Sequence, residues 1–109
     1  MSEAYDRGKL AELFGNDPET LAEIEREFLD TTWDAQREIE ATDDLGAIAR
    51  AAHRLKGASG MIGAATLHRI AEAVVHAAKA QDLTTVRQMH QIFRHEVQRV
   101  ADQARLATG

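Results

Sequence analysis

Apolar residues recur every three to four positions through four successive stretches of this chain, and that spacing suits little except helices packed side by side. The only proline, Pro18, follows Asp17, so an acidic cap stands directly before the first helical position. From there Leu21, Ile24, Phe28, Ala35 and Ile39, with Leu29 and Trp33 beside them, keep helical spacing over residues 18–41. The polar run ATDDLG supplies Thr42, Asp43 and Asp44 as caps. Leu45, Ile48, Ala52, Leu55, Ser59 and Ile62 then line one side of a second helix over 45–62, which Gly63 ends. Leu67, Ile70, Ala71, Val74 and Ala78 mark a third helix over 64–80. After the turn AQDLTT, Val86, Met89, Phe93, Val97, Val100 and Ala104 mark a fourth over 84–107. A short helix over 7–14, RGKLAELF, is expected to cover one end with Leu10, Leu13 and Phe14 facing the core. Near-heptad spacing with short connections predicts an all-α fold, an antiparallel four-helix bundle with a short additional N-terminal helix, as one domain over 1–109.

With 109 residues, 44% of them apolar, the chain can build a single core without staples. It has no cysteine, so neither disulfides nor thiolate-bound zinc hold it together. Thirteen Lys and Arg against eighteen Asp and Glu give a net charge of −5, with no basic block to follow a phosphate backbone, which argues against nucleic acid as a partner. No window approaches 18 consecutive apolar residues, and MSEAYDRGKLAELFG lacks the basic-then-apolar order of a signal peptide. Neither membrane nor export is indicated; a cytoplasmic monomer is expected. An initiator-like Met1 and a self-contained bundle favour a small free-standing protein, although an N-terminal module of a larger kinase would begin in the same way.

The stretch HRLKGASGMIG, residues 53–63, departs from ordinary helix composition. At 100° per residue, His53 lies roughly 120° from the centre of the apolar stripe of its helix. Its neighbours on that side are Ala49 one turn before, Lys56 and Gly57 one turn after, and Gly60 two turns after. An interior glycine costs a helix about 1 kcal/mol relative to alanine, so Gly57 and Gly60 serve something other than stability. Small residues around an imidazole leave space for another surface, or for a group carried on the ring. The same composition also fits an ordinary surface histidine above a close helix packing. Ser59 falls on the core stripe, where its hydroxyl is expected to bond back to a backbone carbonyl.

HRLKGASGMIG resembles the signature of histidine phosphotransfer (HPt) domains, with His53, Leu55, Lys56, Gly57, Ala58, Ser59, Ile62 and Gly63 matching in place. LFGNDPETLAEIEREFL and DDLGAIARAAHRLKGASG extend the likeness over nearly the whole chain. The resemblance implies a four-helix bundle with an accessory N-terminal helix, working as a phosphorelay intermediate. His53 would accept a phosphoryl group from a receiver aspartate or a kinase and pass it to a receiver aspartate. An imidazole suits this, being nucleophilic when neutral and having an ordinary pKa of about 6.5. Lys56 would offset charge on the phosphoryl oxygens, and Gly57 would keep the approach clear. Ala49, Arg50, Arg54, Gly60, Met61 and Val75 are the candidate docking residues, the arginines meeting an acidic receiver pocket. Mg²⁺ is expected on the receiver, and a response-regulator receiver or a sensor or hybrid histidine kinase is the expected partner.

Some family members carry a polar residue 22 positions after the active histidine to orient its ring, and here that position is Val75. Water, a backbone group, Glu72 or Lys79 takes over, or the ring is less constrained. The chain has no Gly-x-x-x-x-Gly-Lys loop, so no autokinase activity is expected. His53 also lacks the His-Glu-x-x-x-Pro setting of sensor-kinase dimerisation helices. His68, Glu72 and His76 recur every four residues, but the outer pair are roughly 12 Å apart along the axis, too far to share a metal ion. His90 and His95 diverge by about 140° and make no pair either. The remaining alternative is a scaffold bundle that binds receivers without transferring phosphate.

Overall fold

The computed structural model describes residues 3–108, with side chains as far as residue 106; residues 1, 2 and 109 of the expected domain, Met1 among them, lie outside the described residues. Among the described residues six helices follow in order: α1 (Arg7–Phe14), α2 (Pro18–Ala41), α3 (Leu45–Met61), α4 (Ala65–Lys79), α5 (Leu83–Gln88) and α6 (His90–Thr108). The fold class is all-α, as the periodicity indicates. Four of the helices start in the same way, because Asp6, Asp17, Asp44 and Asp82 each accept a first-turn backbone N–H in their side-chain oxygens. Such a cap stabilises a helix by about 1 kcal/mol.

α2 packs on α3 and α6, and α4 packs on the same two, so the long helices form a square whose diagonals scarcely touch. The connections 42–44, 62–64 and 80–82 are too short for crossovers, so successive helices run antiparallel. The core holds Phe28, Ile39, Ile48, Leu55, Leu67, Val74, Phe93 and Val100. On α2 it also takes in Glu25 and Thr32, both fully buried. Thr32 Oγ1 donates to the Phe28 carbonyl at 2.8 Å.

The end of the bundle is closed differently from expectation. Leu10 is buried, but Leu13 and Phe14 are 54% and 42% exposed. Their place is taken by Tyr5, which packs edge-on against Phe28 with ring centroids 5.9 Å apart. Its hydroxyl donates to the Glu25 carboxylate, which Arg7 Nε also reaches at 3.2 Å. Burial, reinforced by Glu25, pushes the Tyr5 phenol well above its usual range, so it remains a donor. The Gln103 amide clasps the same segment, accepting from Ala4 N at 2.7 Å and donating to the Tyr5 carbonyl at 2.9 Å.

This N-terminal segment also covers the end of α3. Asp6 N–H donates to the Ile62 carbonyl at 3.0 Å, and Lys9 Nζ donates to the Gly60 carbonyl at 3.1 Å, satisfying groups that a helix end leaves open. Gly63, at φ +70°, makes the turn, and a Cβ there would stand 2.8 Å from Asp6 Cβ. Only glycine fits.

The last expected helix, 84–107, is two helices. The interruption at Met89 lies between tethers to the end of α2. Arg87 donates to the Ile39 and Thr42 carbonyls at 3.1 and 2.7 Å and pairs with Asp43 at 2.6 Å. Beyond the break, His90 Nε2 and Arg94 Nε each approach Glu40 Oε1 at 2.7 Å.

Candidate functional site

The orientation of α3 is set by its buried face, Ile48, Ala51, Ala52, Leu55 and Ser59. Ser59 Oγ donates to the Leu55 carbonyl at 2.6 Å, so the hydroxyl is satisfied within the helix. With that face against α2 and α4, His53 is turned to solvent. Among the described residues its ring has no hydrogen-bond partner. A shallow depression opens beside it, lined by Ala49, Arg50, His53 and Arg54 of α3 and by Lys79 from the last turn of α4.

Charge around the ring is positive although the chain carries a net −5. Arg54 is paired with Glu38 of α2, whereas Arg50 and Lys79 have no ion-pair partner among the described residues. Lys56 is half-buried, with its Nζ 3.2 Å from Glu72 Oε2 of α4. The hydrogen bond and charge of Lys56 hold the Glu72 carboxyl below the usual carboxylate range, with smaller help from His68 and His76. His68 Nδ1 donates to the Lys56 backbone carbonyl at 2.8 Å, which places its proton on that nitrogen.

The two helical glycines differ. A Cβ at Gly57 would meet nothing within 4 Å, so this side of His53 is open space. A Cβ at Gly60 would come within 3.3 Å of His68 Nδ1, so Gly60 admits the His68 ring rather than a partner. Of the other docking candidates, Met61 is 55% exposed and Arg50 and Arg54 are exposed, while Ala49 is half-buried. Val75 needs correction. It is 6% exposed and packs in the core, because the inner face of α4 is wide enough to bury Val74, Val75, Ala77 and Ala78 together. It offers a partner almost no surface, and its methyl groups cannot orient the imidazole.

His68, Glu72 and His76 do not converge, since the first two are engaged with Lys56; among the described residues no three such groups stand close enough to hold a metal ion. The contact of His68 and Glu72 with Lys56 was not legible in the sequence. It joins two helices across a turn, and no spacing along one helix reports it.

A family model described as Hpt domain matches residues 10–105. No curated protein and no solved structure matches the chain.

Proposed function

Since the chain belongs to the Hpt domain family, whose members carry histidine phosphotransfer in phosphorelays, we propose that His53 is the phosphoryl carrier of this protein. What carries the proposal is an imidazole that lies at the motif position, faces solvent, has no hydrogen-bond partner among the described residues and borders a depression lined by Arg50, Arg54 and Lys79, with Lys56 one turn along the same helix. In the transfer, the lone pair of an unprotonated ring nitrogen attacks the phosphorus of a receiver aspartyl phosphate. The N–P bond forms as the acyl O–P bond breaks, and the aspartate leaves as carboxylate with the bonding pair. Passing the group on reverses these steps on a second receiver. The loose transition state of phosphoryl transfer leaves a protein mainly positioning and charge compensation to supply. Lys56, Arg50 and Lys79 are the groups able to face the phosphoryl oxygens, and Mg²⁺ on the receiver adds its charge from the other side.

Docking uses the exposed rim of α3, with Ala49, Arg50, Arg54 and Met61 around the open space at Gly57. A positive rim meeting an acidic pocket favours fast, transient association rather than a permanent complex. No helix among the described residues is long and apolar enough to cross a membrane. We place the protein in the cytoplasm as a monomeric relay without autokinase activity.

The test is transfer of radiolabelled phosphate from phosphorylated receivers and kinases to the protein and to a His53→Gln variant. Acid-labile, base-stable label on the wild type and none on the variant is the expected result. Receivers that bind without ever labelling the wild type would make it a scaffold instead.

A further inference from the structure

Lys56 is anchored from α4 at both ends. His68 holds its backbone carbonyl at 2.8 Å, and Glu72 holds its ammonium at 3.2 Å. The first contact depends on the missing side chain at Gly60, where a Cβ would crowd the His68 ring. The lysine that the motif assigns to phosphoryl charge is therefore already committed to a carboxylate, while Arg50 and Lys79 stand without ion-pair partners beside His53. Nothing in packing requires the Glu72 carboxylate there, since its side chain is 45% exposed.

We propose that Glu72 is a positioning residue that competes with the phosphoryl group on His53 for the Lys56 ammonium, so that Lys56 changes partner when His53 is phosphorylated. This rests on His53 being the carrier. A phosphoryl group brings roughly −1.5 to −2 of charge against the single charge of a carboxylate. A flexible four-carbon stem lets the ammonium swing from one to the other while the backbone stays clamped by His68. Breaking the Lys56–Glu72 pair offsets part of what the phosphoryl group gains. The phosphorylated state is thereby kept shallow, as a carrier that must give up its group requires. Glu72 thus sets how far the exchange with a receiver runs, without touching the reacting atoms.

Two measurements test this. Phosphoramidate, a P–N donor able to phosphorylate an imidazole directly, stands in for the unidentified kinase, and ¹³C-carboxyl NMR follows the titration of Glu72. On phosphorylation the Glu72 midpoint is expected to rise toward the ordinary carboxylate range in the wild type and to stay still in Lys56→Gln. In exchange with a phosphorylated receiver, Glu72→Gln is expected to raise the equilibrium ratio of phospho-His53 to phospho-receiver by about two- to fivefold, the range an exposed ion pair supplies. In the Lys56→Gln background the same change should do nothing. A lowered ratio, or a shift that persists without Lys56, would show that Glu72 acts through packing or bulk charge and would overturn the proposal. A wild type that takes label from neither source overturns the carrier role of His53 and this proposal together; a labelled wild type indifferent to Glu72 overturns this proposal alone.

Discussion

If His53 is the carrier proposed above, the open space at Gly57 is what a partner would use to reach it. The site lies inside a helix, where glycine costs about 0.5–1 kcal/mol relative to alanine, and a Cβ there would touch nothing of this chain. Gly57→Ala is therefore expected to stabilise the fold by about that amount while slowing phosphoryl transfer by about tenfold, since a small misplacement at the reacting centre is expensive. Thermal unfolding together with single-turnover transfer would check it; equal or faster transfer would remove access as the reason for this glycine. The exposure of His53 was legible from the helical spacing of α3, whereas the Glu25 cluster was legible only in part. Leu21, Glu25, Phe28, Thr32, Ala35 and Ile39 alternate spacings of four and three, so Glu25 and Thr32 occupy core positions in the sequence. What satisfies the buried carboxylate is Tyr5 and Arg7, which reach it from the N-terminal side of the chain, and no spacing along α2 reports them.

Among the elements, the turn between α4 and α5 carries a cost. Gln81 sits at φ +60°, and its backbone N–H donates to the Ala78 carbonyl at 3.1 Å while Asp82 N–H donates to that of Ala77 at 2.9 Å. A non-glycine residue in this left-handed conformation is strained by roughly 1–2 kcal/mol. Gln81→Gly should relieve about 1 kcal/mol of that, net of the greater freedom glycine has when unfolded. Denaturant midpoints should therefore rise; an unchanged midpoint would mean the turn is not strained. The division of the last helix into α5 and α6 has no comparable local mark. No glycine or proline stands near Met89, and the carbonyls and carboxylates that Arg87, His90 and Arg94 reach belong to the end of α2 and the loop after it. Helical spacing continues across the break because residues on both sides face one core.

For the molecule as a whole, acid should weaken the tie between α2 and α6. Glu40 accepts from Arg94 at 2.7 and 3.1 Å and from Gln36 at 3.2 Å, with His90 beside it, and these hold its carboxyl at about 2 against an ordinary 4.5, Arg94 contributing most. A carboxyl depressed by folding contributes stability above its unfolded pKa and loses it as pH falls through the folded value. The contribution is therefore complete above about pH 5 and gone near pH 2, and amounts to about 1 kcal/mol because Arg94 is largely exposed and water screens the pair. Unfolding free energies measured between pH 6 and 2 should fall more steeply in the wild type than in Glu40→Gln; parallel curves would rule the pair out. By itself the sequence determined the all-α class, most of the inward-facing positions of the long segments and the likeness to the Hpt family, because periodicity, caps and a contiguous motif are all local. Only the tertiary structure decided that Tyr5 rather than Leu13 or Phe14 closes the bundle, that Val75 is buried, and that Lys56 is held by Glu72 and His68. Each of those depends on which groups from distant parts of the chain arrive at the same place, and competition for one buried site or one ammonium leaves no mark in the spacing of either competitor.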